Sequence, residues 1–77
     1  MKVAMNMTLY AGKKHHRYIL DNCPTDRMLH AIGIRDGLQV SVVAKQPMGG
    51  PIVIRVKKRD IALDKTLADR IGAKVVE

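Results

Sequence analysis

The side chains able to do chemistry are few, and their spacing limits what they can do together. His15, His16, Cys23 and His30 are the soft or borderline donors that could hold a transition metal. Adjacent histidines on an extended strand point to opposite faces, so His15 and His16 do not converge on one ion. Cys23 and His30 stand seven residues apart across a helix start, which matches no zinc-ligand spacing. No metal site is expected: His30 reads as a helix residue, and Cys23 as a small apolar filler beside a cap. The six aspartates and one glutamate are scattered at turns and caps, with no pair placed for acid–base work. No serine carries a nucleophile signature, and Ser41 reads as a strand residue facing solvent. Gly49-Gly50 lies between strands and opens no helix, so it offers no phosphate cradle. Catalytic residues and cofactors are both expected to be absent.

That glycine pair instead belongs to a shaped turn. Leu38-Gln39-Val40-Ser41-Val42-Val43-Ala44 begins with the alternation of a half-buried strand. Ile52-Val53-Ile54-Arg55-Val56-Lys57 alternates more clearly, with Ile52, Ile54 and Val56 on one side and Val53, Arg55 and Lys57 on the other. Between them, Pro47 and Pro51 bracket Met48, Gly49 and Gly50. Proline sets φ near −65° and glycine tolerates positive φ, so the segment is a defined turn and not a slack linker. Met48, an apolar residue at the tip, is either a binding surface or a plug that folds inward to cap the core.

The remaining elements are short. Residues 3–9 and 16–22 read as strands. Asn22-Cys23-Pro24-Thr25-Asp26 reads as a helix start, with Pro24 or Thr25 near the cap. The helix carries Met28, Leu29 and Ile32 on one face, and Gly33 stops it. Lys57-Lys58-Arg59-Asp60 forms a hairpin turn into Ile61-Ala62-Leu63. Asp64 caps a last helix in which Leu67, Ala68 and Ile71 share a face, Gly72 ends it, and Val75-Val76 adds a closing strand. About five short strands with one or two short helices, in one domain over residues 1–77, favour a small mainly β barrel, since curling covers both edges.

The chain has 77 residues, 14 lysines and arginines against 7 acidic residues, and a net charge of +7. Its only aromatics are Tyr10 and Tyr18, so the core must be aliphatic. Half of the positive charge falls in two clusters: Lys13, Lys14 and Arg17 around His15-His16, and Arg55, Lys57, Lys58 and Arg59. Such a balance favours acidic partners or simply keeps a small protein in solution. Specific nucleic-acid recognition is not expected, because only two tyrosines could stack bases and the charge alone supports weak, salt-sensitive binding. One cysteine excludes an internal disulfide, no stretch approaches the ~18 apolar residues of a membrane span, and a cytoplasmic location is expected.

Three segments together, Leu29-x-x-Ile32-Gly33-Ile34-x-x-Gly37-x-x-Val40, Pro47-Met48-Gly49-Gly50-Pro51-Ile52 and Ile61-Ala62-Leu63, resemble the FeoA family in order and spacing. The resemblance runs from about Met28 to Ile71. It implies an SH3-like barrel and a non-enzymatic, cytoplasmic accessory role in ferrous iron uptake, beside the FeoB membrane transporter with its GTPase domain. In that role Met48, Gly49, Gly50 and Pro51 would supply the apolar anchor, and the basic clusters, Arg55 and Lys57 among them, the steering. The chain departs from the pattern at Met48, where Leu is usual, at Met28, where a basic residue is common, at Lys58, in place of a turn Gly, and at Asp64, in place of Arg. The same barrel at the C-terminus of iron-dependent repressors resembles a peptide-binding module, so a stand-alone peptide binder for another partner is the alternative, followed by a weak nucleic-acid-binding barrel.

Overall fold

A computed structural model of the chain describes residues 3–76, with side chains from Met7 onward. Its strands are β1 (Val3–Thr8), β2 (Arg17–Asp21), β3 (Gln39–Lys45), β4 (Ile52–Val56), β5 (Arg59–Leu63) and β6 (Gly72–Val76). Two helices, α1 (Arg27–Ala31) and α2 (Lys65–Ala68), and one 3-10 turn (Leu9–Ala11) complete the described residues. All six strands pair antiparallel in one sheet of order β1-β6-β2-β3-β4-β5. The C-terminal strand thus lies inside the sheet, between β1 and β2, and β1 and β5 form the edges.

The register explains how so short a chain encloses a core. β3 pairs with β2 through Gln39–Ser41 and with β4 through Ser41–Lys45, and the pairing slips one residue between Val42 and Ala44. A bulge of this kind bends its strand and tightens its twist, which lets one strand serve two differently directed halves of the sheet. Tyr18, Leu20, Val40, Val42, Ile52, Ile54, Val56, Leu63 and Ala73 then face inward from five strands. Leu9, Leu29, Ile34, Leu67, Ala68 and Ile71 meet them from the helices and connections in a single buried cluster. Each large aliphatic side chain so buried contributes about 1.5–3 kcal/mol, the main source of stability in a chain this small. Tyr18 is 1% exposed, and its hydroxyl accepts the Lys13 N–H at 2.7 Å, which satisfies the one polar atom that burial would strand.

The alternation of β4 holds as expected: Ile52, Ile54 and Val56 are buried, Arg55 is exposed and Val53 half-buried. Asp64 caps α2 by accepting from Leu67 N–H at 2.8 Å. Several local expectations are corrected. The cap of α1 is Asp26, which accepts from Met28 N–H, and Pro24 and Thr25 lie in the irregular segment before it. The reason is Asp36, whose carboxylate accepts Cys23 N–H at 2.8 Å and holds the approach to the helix open. With α1 reduced to five residues, Leu29 is buried and Ile32 half-buried, whereas Met28 is rotated outward and 55% exposed.

Gly33, at φ 87°, ends α1 as expected. Its N–H donates to His30 O, and Ile34 N–H to Leu29 O, the paired bonds of a Schellman cap. Gly72 opens β6 instead of ending α2, because Arg70 and Ile71 already close the helix through bonds to Leu67 and Ala68. That gives a sixth strand of five residues where only Val75-Val76 was expected. His15 lies in a turn at φ 67°, so the opposed-face argument for His15 and His16 does not apply as a strand argument. The β4–β5 connection is the two residues Lys57 and Lys58, with Arg59 and Asp60 already in the strand.

Candidate functional site

The β3–β4 connection is closed by Gln46 N–H donating to Pro51 O at 3.0 Å and by Gly50 N–H donating to Pro47 O at 3.3 Å. Its two central residues both take positive φ, Met48 at 60° and Gly49 at 78°. Two successive positive values are the signature of the type I′ hairpin turn, which Asn and Gly normally occupy. Placing a long side chain there costs about 1–2 kcal/mol from its Cβ against the following carbonyl. Packing recovers none of it, for Met48 is fully exposed, at 102%. The inward-plug alternative is thereby excluded by the geometry.

The glycines act differently from one another. Gly49 supplies the positive φ, whereas Gly50 has ordinary φ and is required for space: a Cβ there would stand 2.5 Å from Gln46 Cβ. The turn is tied down from outside by Tyr10, whose hydroxyl donates to Gly50 O at 2.8 Å. Lys45 Nζ lies 4.8 Å and Lys65 Nζ 5.2 Å from the centroid of the same ring. Lys65 is also paired with Asp69 at 2.7 Å, which raises the lysine pKa chiefly through that hydrogen bond.

The six residues expected to form a partner surface do not come together as one patch. Met48, Gly49, Gly50 and Pro51 lie at the start of β4, and Lys57 lies at its other end, roughly 20 Å away at about 3.4 Å per residue. Arg55 projects from the exposed face of β4 and is held by Asp60 through contacts of 2.8 and 3.1 Å. That hydrogen bond raises the arginine pKa and lowers that of Asp60. The residues that do surround the turn are Tyr10, Lys45 and Lys65. Sequence reading missed them because their nearness depends on long-range register, and only the placement of Lys45 two residues before Pro47 could have hinted at it.

A second concave region lies between α1 and the turn before β3. This cleft of about 390 Å³ is lined by Cys23, Pro24, Thr25, Asp26, Arg27, His30, Arg35 and Asp36. Burial, with help from the hydrogen bond and charge of Asp36, pushes the Cys23 thiol up to about 12. A thiol kept protonated at neutral pH is a poor nucleophile and a poor metal ligand. Both carboxylates here are committed to backbone amides, Asp26 to Met28 and Asp36 to Cys23. Among the described residues no three His, Cys, Asp or Glu side chains are grouped to hold a metal ion. No helix among them is long and apolar enough to cross a membrane.

Comparison with known proteins agrees with the geometry. The FeoA domain family matches residues 7–75. Among solved structures, an iron uptake regulatory protein (FeoA) superposes with a TM-score of 0.83 at 26% identity, over 95% of this chain and 100% of that one. The FeoA of Stenotrophomonas maltophilia, solved with zinc and described as a prokaryotic SH3 domain protein, superposes with a TM-score of 0.67 at 27% identity, over 84% of this chain and 86% of that one. A manganese-dependent transcriptional repressor shares the fold at 18% identity and a TM-score of 0.82, over 92% of this chain but 42% of its own length. No curated protein gives a significant match. The fold is mainly β and SH3-like.

Proposed function

Because this chain belongs to the FeoA family, we propose that it is a non-enzymatic accessory protein of ferrous iron uptake, docking on the cytoplasmic side of a FeoB-type GTPase transporter and modulating it. The observation that carries this reading is Met48: an apolar side chain held fully in solvent on a strained turn. Strain retained without any packing return points to a use outside the folded monomer. The tip would enter an apolar socket on the partner, where one desolvated side chain can dominate the binding energy. Pro51, Gly49 and Gly50 set its direction, and Tyr10 keeps the turn from collapsing. Lys45 and Lys65 flank the tip and suit an acidic rim around that socket. Arg55 and Lys57 lie farther off than the ~8 Å screening length of physiological salt, and their part is confined to orienting the approach.

The test is calorimetric titration of the cytoplasmic domain of the cognate transporter with wild type, Met48→Leu and Met48→Asp. Met48→Leu is expected to bind within about threefold of wild type, since the swap conserves volume. Met48→Asp, folded by its circular dichroism spectrum, is expected to lose binding by at least tenfold. Unchanged affinity for a folded Met48→Asp would refute the anchor.

A further inference from the structure

Each of the six aspartates is engaged. Asp21 pairs with Lys74 at 3.2 Å, Asp60 with Arg55 and Asp69 with Lys65. Asp26, Asp36 and Asp64 accept from the backbone N–H groups of Met28, Cys23 and Leu67. No acidic residue occurs in residues 1–20 or 37–59. Lys13, Lys14, Arg17 and Lys45 are exposed with no carboxylate partner among the described residues, as are Arg27, Arg35, Lys57, Lys58, Arg59 and Arg70, and His15 and His16 are exposed between Lys14 and Arg17.

Lys13, Lys14, Arg17 and Lys45 are connected to the Met48 turn through β3 and Tyr10. His15 N–H donates to Val42 O at 2.8 Å, and Val42 N–H to His16 O at 3.2 Å, so the Lys13–Arg17 loop lies along β3 three residues before Lys45. On its other side, Tyr10 precedes Lys13 by three residues and bonds Gly50 of the turn. Lys45 thus stands three residues from the apolar tip, and the Lys13–Arg17 loop is joined to it through Tyr10 and β3.

We propose that the surface running from the Lys13–Arg17 loop to the Met48 turn docks on an anionic phospholipid bilayer, with Met48 seated at the headgroup boundary and Lys13, Lys14, Arg17 and Lys45 on the lipid phosphates. A bilayer rewards both features at once: apolar area at the interface and charge against anionic headgroups. Nucleic acid rewards only the second. Tyr18 is buried and Tyr10 is flanked by two lysines, which leaves no free aromatic face for bases among the described residues. Helices of five and four residues are too short to read a groove. The inference does not rest on the transporter reading: Met48 occupies the headgroup boundary or the transporter socket, not both at once, and the two are measured apart because docking on the isolated cytoplasmic domain is followed with no lipid present.

The experiment is co-sedimentation of the full chain with phosphatidylcholine vesicles and with equimolar phosphatidylcholine–phosphatidylglycerol vesicles at physiological ionic strength. A duplex DNA arm is measured by anisotropy. Binding is expected to the anionic vesicles only. The double variant Lys13→Gln, Lys14→Gln is expected to weaken it about 25-fold, at about fivefold per cation. Lys57→Gln with Lys58→Gln, the same loss of charge at the far end of β4, is expected to change it less than twofold. Met48→Asp is expected to weaken it further, whereas Met48→Leu preserves it. Equal losses from the two double variants would reduce the effect to net charge and overturn the proposal. So would equal binding to neutral vesicles, or tighter binding to the DNA than to the anionic vesicles.

Discussion

The two connections at the ends of β4 make an informative pair. Each turns a hairpin and each holds a non-glycine residue at positive φ, Met48 at 60° before the strand and Lys57 at 57° after it. At Lys57 the side chain is charged and solvated, so the turn bears only its backbone strain, at the first central position, where a type II′ turn normally takes glycine. At Met48 the same strain is combined with an apolar side chain that touches solvent alone. The surroundings differ too. Beside Lys57, Asp60 pairs with Arg55 and no aromatic side chain among the described residues bonds the turn, whereas the Met48 turn is braced by Tyr10, with Lys45 and Lys65 over its ring. Backbone strain by itself therefore marks nothing. Strain together with apolar exposure and a dedicated brace marks a surface.

The largest way to break this comparison is through Gly50. Gly50→Val forces a Cβ against Gln46 and is expected to destabilise the protein by about 2–3 kcal/mol. By thermal denaturation that is a melting temperature lower by about 8–24 °C for a domain of this size. An unchanged value would refute the described turn. Gly37→Val tests φ alone, since φ is 86° and nothing lies within 4 Å of the added Cβ. It is expected to cost about 1–2 kcal/mol.

Next in size is the brace. Tyr10→Phe removes one hydrogen bond to Gly50 O and is expected to cost about 1 kcal/mol. Amide exchange should accelerate in residues 46–51 and remain as before at Lys57 and Lys58, and equal acceleration at both turns would deny the brace. Comparable in size and opposite in sign is Met48→Gly, expected to stabilise by up to about 1 kcal/mol in urea denaturation. A loss of stability instead would show that Met48 packs on the protein.

Much of this was legible in advance. The period-two pattern of β4, the Asp64 cap and the Gly33 stop are local, and each is set by residues within one or two turns of chain. The start of α1 was misplaced because the deciding carboxylate, Asp36, comes 13 residues after Cys23. The partner surface was half legible for the same reason. Met48 announces itself as an apolar residue in a glycine–proline turn, whereas Tyr10 meets Gly50 across 40 residues. Grouping Arg55 and Lys57 with the turn followed their nearness in sequence, and strand length separates them.

The smallest effect expected is electrostatic and one-sided. The hydrogen bond from Arg55 holds the Asp60 carboxylate below its ordinary range. A carboxylate with a lowered folded-state pKa contributes stability above its ordinary value and loses it as pH falls through the lowered one. Both groups are exposed, so the change in stability is slight. Acid titration followed by NMR should move the Arg55 and Asp60 signals together in that window, and an Asp60 signal that moves without Arg55 would deny the contact.

The most direct measurement is a chemical-shift titration of the isotope-labelled protein with the cytoplasmic domain of its FeoB-type transporter, free of lipid. The account predicts shifts confined to residues 45–51, Tyr10 and Lys65, with Lys57 and Lys58 silent. Shifts centred on residues 55–59, with the Met48 turn unmoved, would contradict it.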